Sequence, residues 1–516
     1  MTNKKLLLTL FLLYIFFAVK VYGQKSTAFP TSIPETEGVS SAGIDSFLTA
    51  EARSVHEFHG FMFLRHGKVI AQGWWDPYKP TLKHTLYSTS KSFTSTAVGF
   101  AVSEKLLTVN DKVISFFPKS LPDSISPYLA QLTVKDLLTM SAGQTPDPTS
   151  SIPFKPGSWV KAFLALPIAN KPGTVFLYNT MATYMLSAIV QKVTGQKEID
   201  YLKPRLFDPL GIKGMDWEES AEGINTGGWG LRLKTEDIAK LGQLYLQKGM
   251  WNGKQLLPKA WVEEATTFKI DQAPGVAQSK KDSSDWMQGY CYQFWRCRHN
   301  AFRADGAFGQ YIIVFSEQDA VIAINSESPD MQDELNLVWK YLLPAMQPGS
   351  LPANNAAESA LEQHLAALNL PPLSNTDKGA TSVTGQTFSF QPNALKFKSV
   401  SLNISNGTCH LILKKDSTTY TLNFDSGKWL IGQTAMPGPG LLTSANENFS
   451  MLTSYKIAGS YGWIDGQTLK LKLHYIESVH GEAFTFKFDG SKLTATVEYS
   501  EDFGKRKTML NGDLVQ

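Results

Sequence analysis

The sequence predicts an α+β protein: an antiparallel sheet flanked by helices, with an inserted helical lobe, followed by a C-terminal all-β domain. Three observations carry that expectation. "FHGFMFLRHGKVIAQGWW" (58–75) alternates apolar and polar residues around a His66-Gly67 turn, which makes it a β-hairpin. Three more strand-like runs, "GYCYQFWRCRH", "GQYIIVFSE" and "DAVIAINSE", follow only after a long helix-rich stretch, so one sheet is expected to join the early hairpin to the late strands. Beyond residue 382, runs such as "HLILKK", "TYTLNF", "LKLKLHYI" and "AFTFKFD" recur with turn signals between them, the pattern of a sandwich or barrel.

At the start of the chain, Lys4 and Lys5 precede an apolar run from Leu6 to Val19, with small residues at Val21 and Gly23. That is the layout of a signal peptide over residues 1–23, hence of an exported protein, secreted or in a bacterial periplasm. The run is shorter than the ~20 residues a span needs, so no transmembrane anchor is expected once it is cleaved. Cleavage would remove Lys4, Lys5 and Lys20 and no acid, taking the formal charge from +3 to 0, which argues against nucleic acid as a partner.

Residues 24–347 form the expected first domain. Within it, "TEDIAKLGQLYLQKG" (235–249) reads as a helix capped by Thr235 and stopped at Gly249, and "DELNLVWKYLLPAM" as a closing helix. Residues 348–382, rich in Pro, Ala, Asn and Ser, read as a linker carrying one short helix, and 383–516 as the β domain. There Trp429, Tyr461 and Trp463 are expected at core positions of strands. Cys291 and Cys297 flank "YQFWR"; read as one strand, this separates them by roughly 20 Å, too far for a disulfide. The histidines of "HEFH" (56–59) lack metalloprotease spacing, and no phosphate-cradling loop occurs, so no metal or cofactor is implied.

The chemistry centres on "TLYSTSKSFTSTAVGFAV" (85–102). Phe93, Ala97, Phe100 and Ala101 lie at i, i+4, i+7 and i+8, a buried helical stripe. Ser88 stands at the amino end of that helix and Lys91 three residues on, so the amine can reach the hydroxyl. A serine needs a base to become a nucleophile, and a buried lysine can be that base. Free N–H groups at the helix start suit a developing oxyanion. Alone, the S-x-x-K pair is equally a helix cap followed by a solvated lysine, and "SWVK" (158–161) repeats it in a context that favours the cap.

The surrounding residues separate the two readings. "LYSTSKSFTSTAVGFAVSEKLLTVNDKVISFFP", "LTVKDLLTMSAG" and "NTGGWGLRLKTEDIAKLGQLYLQKGMWNGKQLLPKAWVEEAT" together resemble the serine β-lactamase and penicillin-binding-protein superfamily, in its class C β-lactamase and esterase branch. The resemblance covers roughly residues 35–345. It implies that Ser88 is the nucleophile and Lys91 its partner. The family's Tyr-x-Asn motif falls on "KPGTVFLYNTMATYM", with Tyr178 at the tyrosine position as a proton shuttle. Thr180 stands where the family has asparagine, and Asn179 is a substitute from one position earlier, so both are substrate-binding candidates. The Lys-Thr-Gly or His-x-Gly slot holds Ala304-Asp305-Gly306, so the cation is missing. Gly306 would let substrate approach, the backbone N–H groups of Ser88 and Ala307 would form an oxyanion hole, and Asp305 would favour an amine or a neutral hydroxyl over a carboxylate.

The resemblance therefore implies a serine hydrolase forming an acyl-enzyme on Ser88, an esterase, amidase or D-amino-acid peptidase acting on a small-molecule or peptide substrate without a cofactor. Two alternatives remain open. One is a true β-lactamase or D,D-peptidase; the other, which Thr180 and Ala304 keep alive, is a non-catalytic binding or sensor protein on the same fold.

Overall fold

A computed structural model describes residues 28–377, 383–442, 445, 449–450 and 452–515. The leader reading over 1–23 lies outside these residues. Among the described residues, no helix is long and apolar enough to cross a membrane.

Six strands form the central sheet: β1 (Glu57–Arg65), β2 (Lys68–Trp74), β3 (Trp295–Arg296), β4 (Phe302–Gly306), β5 (Gln310–Phe315) and β6 (Ala320–Glu327). Their order is β2-β1-β6-β5-β4-β3, with every pairing antiparallel. β1 lies against β6, with Phe61 opposite Ile324 and Phe63 opposite Ile322, so the early hairpin and the late strands share one sheet. Both faces are covered. Met62, Leu64, Ile312 and Val314 belong to the core under the helical lobe, while Phe61, Phe63, Ile313 and Ile322 belong to the core on the other side. Apolar residues at successive positions of β5 and β6 follow from that double burial.

On the far face, α1 (Ser41–Glu51) contributes Ile44, Phe47 and Leu48, and α5 (Met331–Leu337) contributes Leu335. On the near face lie α2 (Ser90–Ser103), α3 (Thr180–Thr194) and α4 (Thr235–Leu246). α4 packs on β5 and β6 through Gly242, where a methyl group would press on Val321 and Ile312. Thr235 is not its cap. Lys234 is the N-cap residue and Asp237 reaches back to its N–H, leaving the Thr235 hydroxyl to bond Asn325 at 2.9 Å.

The strand expected over 289–299 is reduced to Trp295 and Arg296. Gln293 adopts a left-handed φ of 62° and breaks it. Its side chain bonds the carbonyls of Leu137 and Leu138 and the Thr183 hydroxyl, so polar contacts to the helical lobe outweigh the strand propensity around it. Cys291 and Cys297 are free and buried.

Helix α6 (Asn355–Ala366) lies in the segment read as a linker and packs on α1 and β2. Leu361 is buried there and His364 bonds Asp45 at 2.7 Å. The C-terminal strands are β7 (Thr387–Phe390), β8 (Phe397–Ser405), β9 (Thr408–Lys415), β10 (Thr418–Asp425), β11 (Leu430–Thr434), β12 (Tyr455–Asp465), β13 (Thr468–Tyr475), β14 (Gly481–Asp489), β15 (Lys492–Tyr499) and β16 (Lys507–Leu514). They run β10-β9-β8-β7-β16-β15-β14-β13-β12-β11, and a bridge from β10 to β12 closes a barrel. Side chains such as Leu411, Leu471, Phe484 and Phe486 fill its interior, with Tyr461 and Trp463 among them. Trp429 instead packs on His474 and donates to the Leu370 carbonyl. The barrel rests on the first domain, where Tyr78 donates to the Ser478 carbonyl and Phe449–Ser450 pairs with Glu219–Ser220.

Candidate active site

Ser88 sits where the chain turns from a short strand into α2. His84–Thr85 pairs with Arg232 and Leu233, and the Leu86 N–H bonds the Leu231 carbonyl. Tyr87 then takes a left-handed φ of 46°, and a 3-10 turn over Tyr87–Thr89 leads into α2. A bulky residue in that region of backbone space is strained and must be held by its surroundings. The turn leaves Ser88 partly exposed while Lys91, one helical turn later, is 1 % exposed. The stripe of Phe93, Ala97, Phe100 and Ala101 is buried beneath them.

The Lys91 amine donates to Ser88 Oγ at 2.9 Å and to the Gly228 carbonyl at 2.8 Å. Burial lowers its pKa from 10.5 to about 7, against the opposing pull of Asp147 and Asp305. Tyr178 lies beside the pair, with the amine 4.9 Å from its ring centroid. Here too burial dominates: together with the Asp305 charge it pushes the phenol well above its ordinary value. Desolvation thus holds the phenol expected as a proton shuttle in its protonated form. Of the two groups, Lys91 is the one that can be deprotonated near neutral pH, and Tyr178 keeps its proton. Trp295 stacks on the Tyr178 ring at 5.5 Å, and Tyr290 meets it edge-on at 6.4 Å.

Asn179 and Thr180 part company. Asn179 is the N-cap of α3: its Oδ1 accepts from Ala182 N–H at 3.0 Å and its Nδ2 donates to Gln144 Oε1 at 2.8 Å. It is 2 % exposed, with both ends of its amide engaged in the fold. Thr180 opens α3 and lies over Gly228, where a methyl group would collide with the threonine side chain and approach Lys91 Nζ to 3.5 Å. Gly228 therefore lets Thr180 pack beside the amine.

On β4, β3 pairs only with Phe302 and Arg303, leaving the Ala304–Gly306 end as an open sheet edge. Ala304 is buried in the core under the helical lobe. Asp305 points to the opposite face, where its carboxylate accepts from Arg303 Nε at 2.9 Å and pairs with Nη2 at 2.8 Å. Arg303 in turn lies over the rings of Trp286 and Trp295, at 4.4 and 5.4 Å. The carboxylate expected to select a substrate amine is thus already paired with a cation inside the protein. At Gly306 any side chain would overlap the Leu86 carbonyl, so the glycine brings the end of β4 against the turn that carries Ser88. The next residue is Ala307. Among the described residues, no hydrogen bond is made by the amide N–H of Ser88 or of Ala307.

Three contributors were not assigned from sequence. The Gly228 carbonyl was visible only as part of "NTGGWG", whereas Asp147 and Trp295 gave no local signal. "SWVK" is a cap, with the Ser158 hydroxyl accepting from Lys161 N–H.

Comparison with known proteins identifies the family of the segment that holds this site. A family model described as Beta-lactamase matches residues 56–344. The 6-aminohexanoate-dimer hydrolase of Paenarthrobacter ureafaciens is 24 % identical over 291 residues, covering 52 % of this chain and 72 % of that protein. Protein flp of Staphylococcus aureus strain MW2 is 27 % identical over 175 residues, covering 31 % of this chain and 34 % of its own length. A solved Bacillus anthracis structure assigned as a 6-aminohexanoate-dimer hydrolase superposes with a TM-score of 0.52 at 19 % identity, over 63 % of this chain and 89 % of that one.

Proposed function

Since the chain belongs to the beta-lactamase family, we propose that it is an exported serine hydrolase that cleaves an ester or amide through an acyl-enzyme on Ser88. The observation that carries this reading is the buried Lys91 amine, 2.9 Å from Ser88 Oγ and with a pKa of about 7. Neutral Lys91 takes the Ser88 proton as Oγ bonds to the substrate carbonyl carbon. The carbonyl oxygen becomes an oxyanion between the N–H groups of Ser88 and Ala307. As the carbonyl re-forms, the bond to the leaving group breaks and Tyr178 passes it a proton, replenished from Lys91. Water then attacks the acyl carbon, giving a proton to Lys91; the bond from that carbon to Ser88 Oγ breaks, Oγ takes the proton from Lys91, and the carboxylic acid leaves.

The substrate reading favours a neutral acyl group. The Ala304 position offers no cation for a carboxylate, and Asp305 is held by Arg303. Phe176, Tyr178 and Trp295 offer an apolar wall beside the nucleophile. The relative named for a 6-aminohexanoate dimer supports extending the reading from esters to linear amides. Export rests on the leader-like residues 1–23. Turnover of p-nitrophenyl esters, linear amides, D-amino-acid anilides and nitrocefin tests the reading. Hydrolysis of esters or amides that is lost in Ser88→Ala supports it. Nitrocefin as the best substrate would favour the β-lactamase alternative, and no turnover of any class would favour a binding protein.

A further inference from the structure

The residue before the nucleophile and the residue after Ala307 share a feature that neither can sustain alone. Tyr87 has φ of 46° and Phe308 has φ of 66°. Each carries a large side chain in the left-handed region, a conformation that persists only where neighbours impose it. The two meet, with ring centroids 5.7 Å apart, and the same histidine packs against both.

That histidine is His480, at the start of the β13–β14 turn's return into the barrel, outside the first domain altogether. Its Nε2 lies 2.7 Å from the Tyr87 hydroxyl, and the Phe308 ring stands edge-on to it at 4.5 Å. Its Nδ1 lies 2.6 Å from Glu327 Oε1 at the end of β6. Both side chains are almost wholly buried. A carboxylate only accepts, so in the neutral ring Nδ1 carries the proton and Nε2 accepts from Tyr87.

We propose that Glu327 and His480 form a clamp across the domain boundary that positions the oxyanion hole. Ser88 follows Tyr87 and Ala307 precedes Phe308, so the two amides that would face the oxyanion are each one peptide from a residue held by His480. The barrel then acts on the reaction through backbone geometry, with His480 as a positioning residue. This inference rests on the serine-hydrolase reading above.

The test uses the full chain and a p-nitrophenyl ester beside its thionoester, whose sulfur is poorly served by an oxyanion hole. His480→Ala should lower kcat for the oxygen ester about ten- to a hundredfold, short of or reaching the 10²–10³ of losing a donor outright, with KM within about threefold. The ratio of ester to thionoester turnover should fall about tenfold. Tyr87→Phe, which keeps the ring and loses only the hydroxyl, should lower the same ratio, and His480→Gln should recover part of it. Folded variants with kcat within twofold of wild type would overturn the clamp, as would an equal slowing of both ester types. Should His480→Ala not fold, Tyr87→Phe alone decides. Wild-type protein that turns over neither ester and takes no fluorophosphonate label would overturn the serine-hydrolase reading itself, and the clamp with it.

Discussion

Lys91 should leave a signature in stability as well as in catalysis. In the folded protein its pKa is lowered from 10.5 to about 7 by burial. Between those values the unfolded chain holds a proton that the folded one has lost, so stability must rise with pH across that window. At ~1.4 kcal/mol per pKa unit, the folded state bears a penalty of about 4 kcal/mol at pH 7 and about 2 kcal/mol at pH 9. Lys91→Met is neutral at every pH and lacks this slope. Urea denaturation followed by tryptophan fluorescence should therefore show wild type gaining about 2 kcal/mol on the variant between pH 7 and pH 9. Other titrating groups are common to both proteins and cancel in the difference. Parallel pH dependences would mean that Lys91 keeps an ordinary pKa, and the argument for it as the base would fall.

Asp147 favours the charged form of Lys91, so Asp147→Asn should lower the lysine pKa further and move the acid limb of kcat/KM to lower pH; an asparagine can still cap Thr149 N–H, as Asp147 does at 3.0 Å. Asn179→Ala removes the cap of α3 and the bond to Gln144, and should cost about 1–2 kcal/mol in calorimetric stability, whereas a variant as stable as wild type would return Asn179 to the substrate side. Gly306→Ala should drive β4 away from the Leu86 carbonyl, lowering kcat and costing about 1–3 kcal/mol; activity and melting temperature unchanged would show that this approach does not matter.

Much of the site could be read from local spacing. Ser88 and Lys91 are one helical turn apart, and the stripe from Phe93 to Ala101 repeats at helical intervals, so their mutual reach follows from α geometry. The hairpin at His66-Gly67 was equally local. What escaped depends on partners far along the chain. Gln293 sits in a run of strand-forming residues, yet its amide is bound by groups from 137 to 183. Asn179 precedes a helix and carries a cap residue's side chain, but its position beside Tyr178 drew it into the substrate reading. The charge of Asp305 was visible and its pairing with Arg303 was not, because i and i+2 face one side of a strand only if both remain in it. Tyr87 and His480 stand 393 positions apart, and no periodicity links them.

The identity of the nucleophile is the claim on which the rest depends. Incubation of the folded protein with a fluorophosphonate, followed by intact mass and peptide mapping, addresses it directly. The account predicts one adduct, on the peptide carrying Ser88, absent from Ser88→Ala and slow to form in Lys91→Met. An adduct that persists in Ser88→Ala, or none on folded wild-type protein, would contradict it.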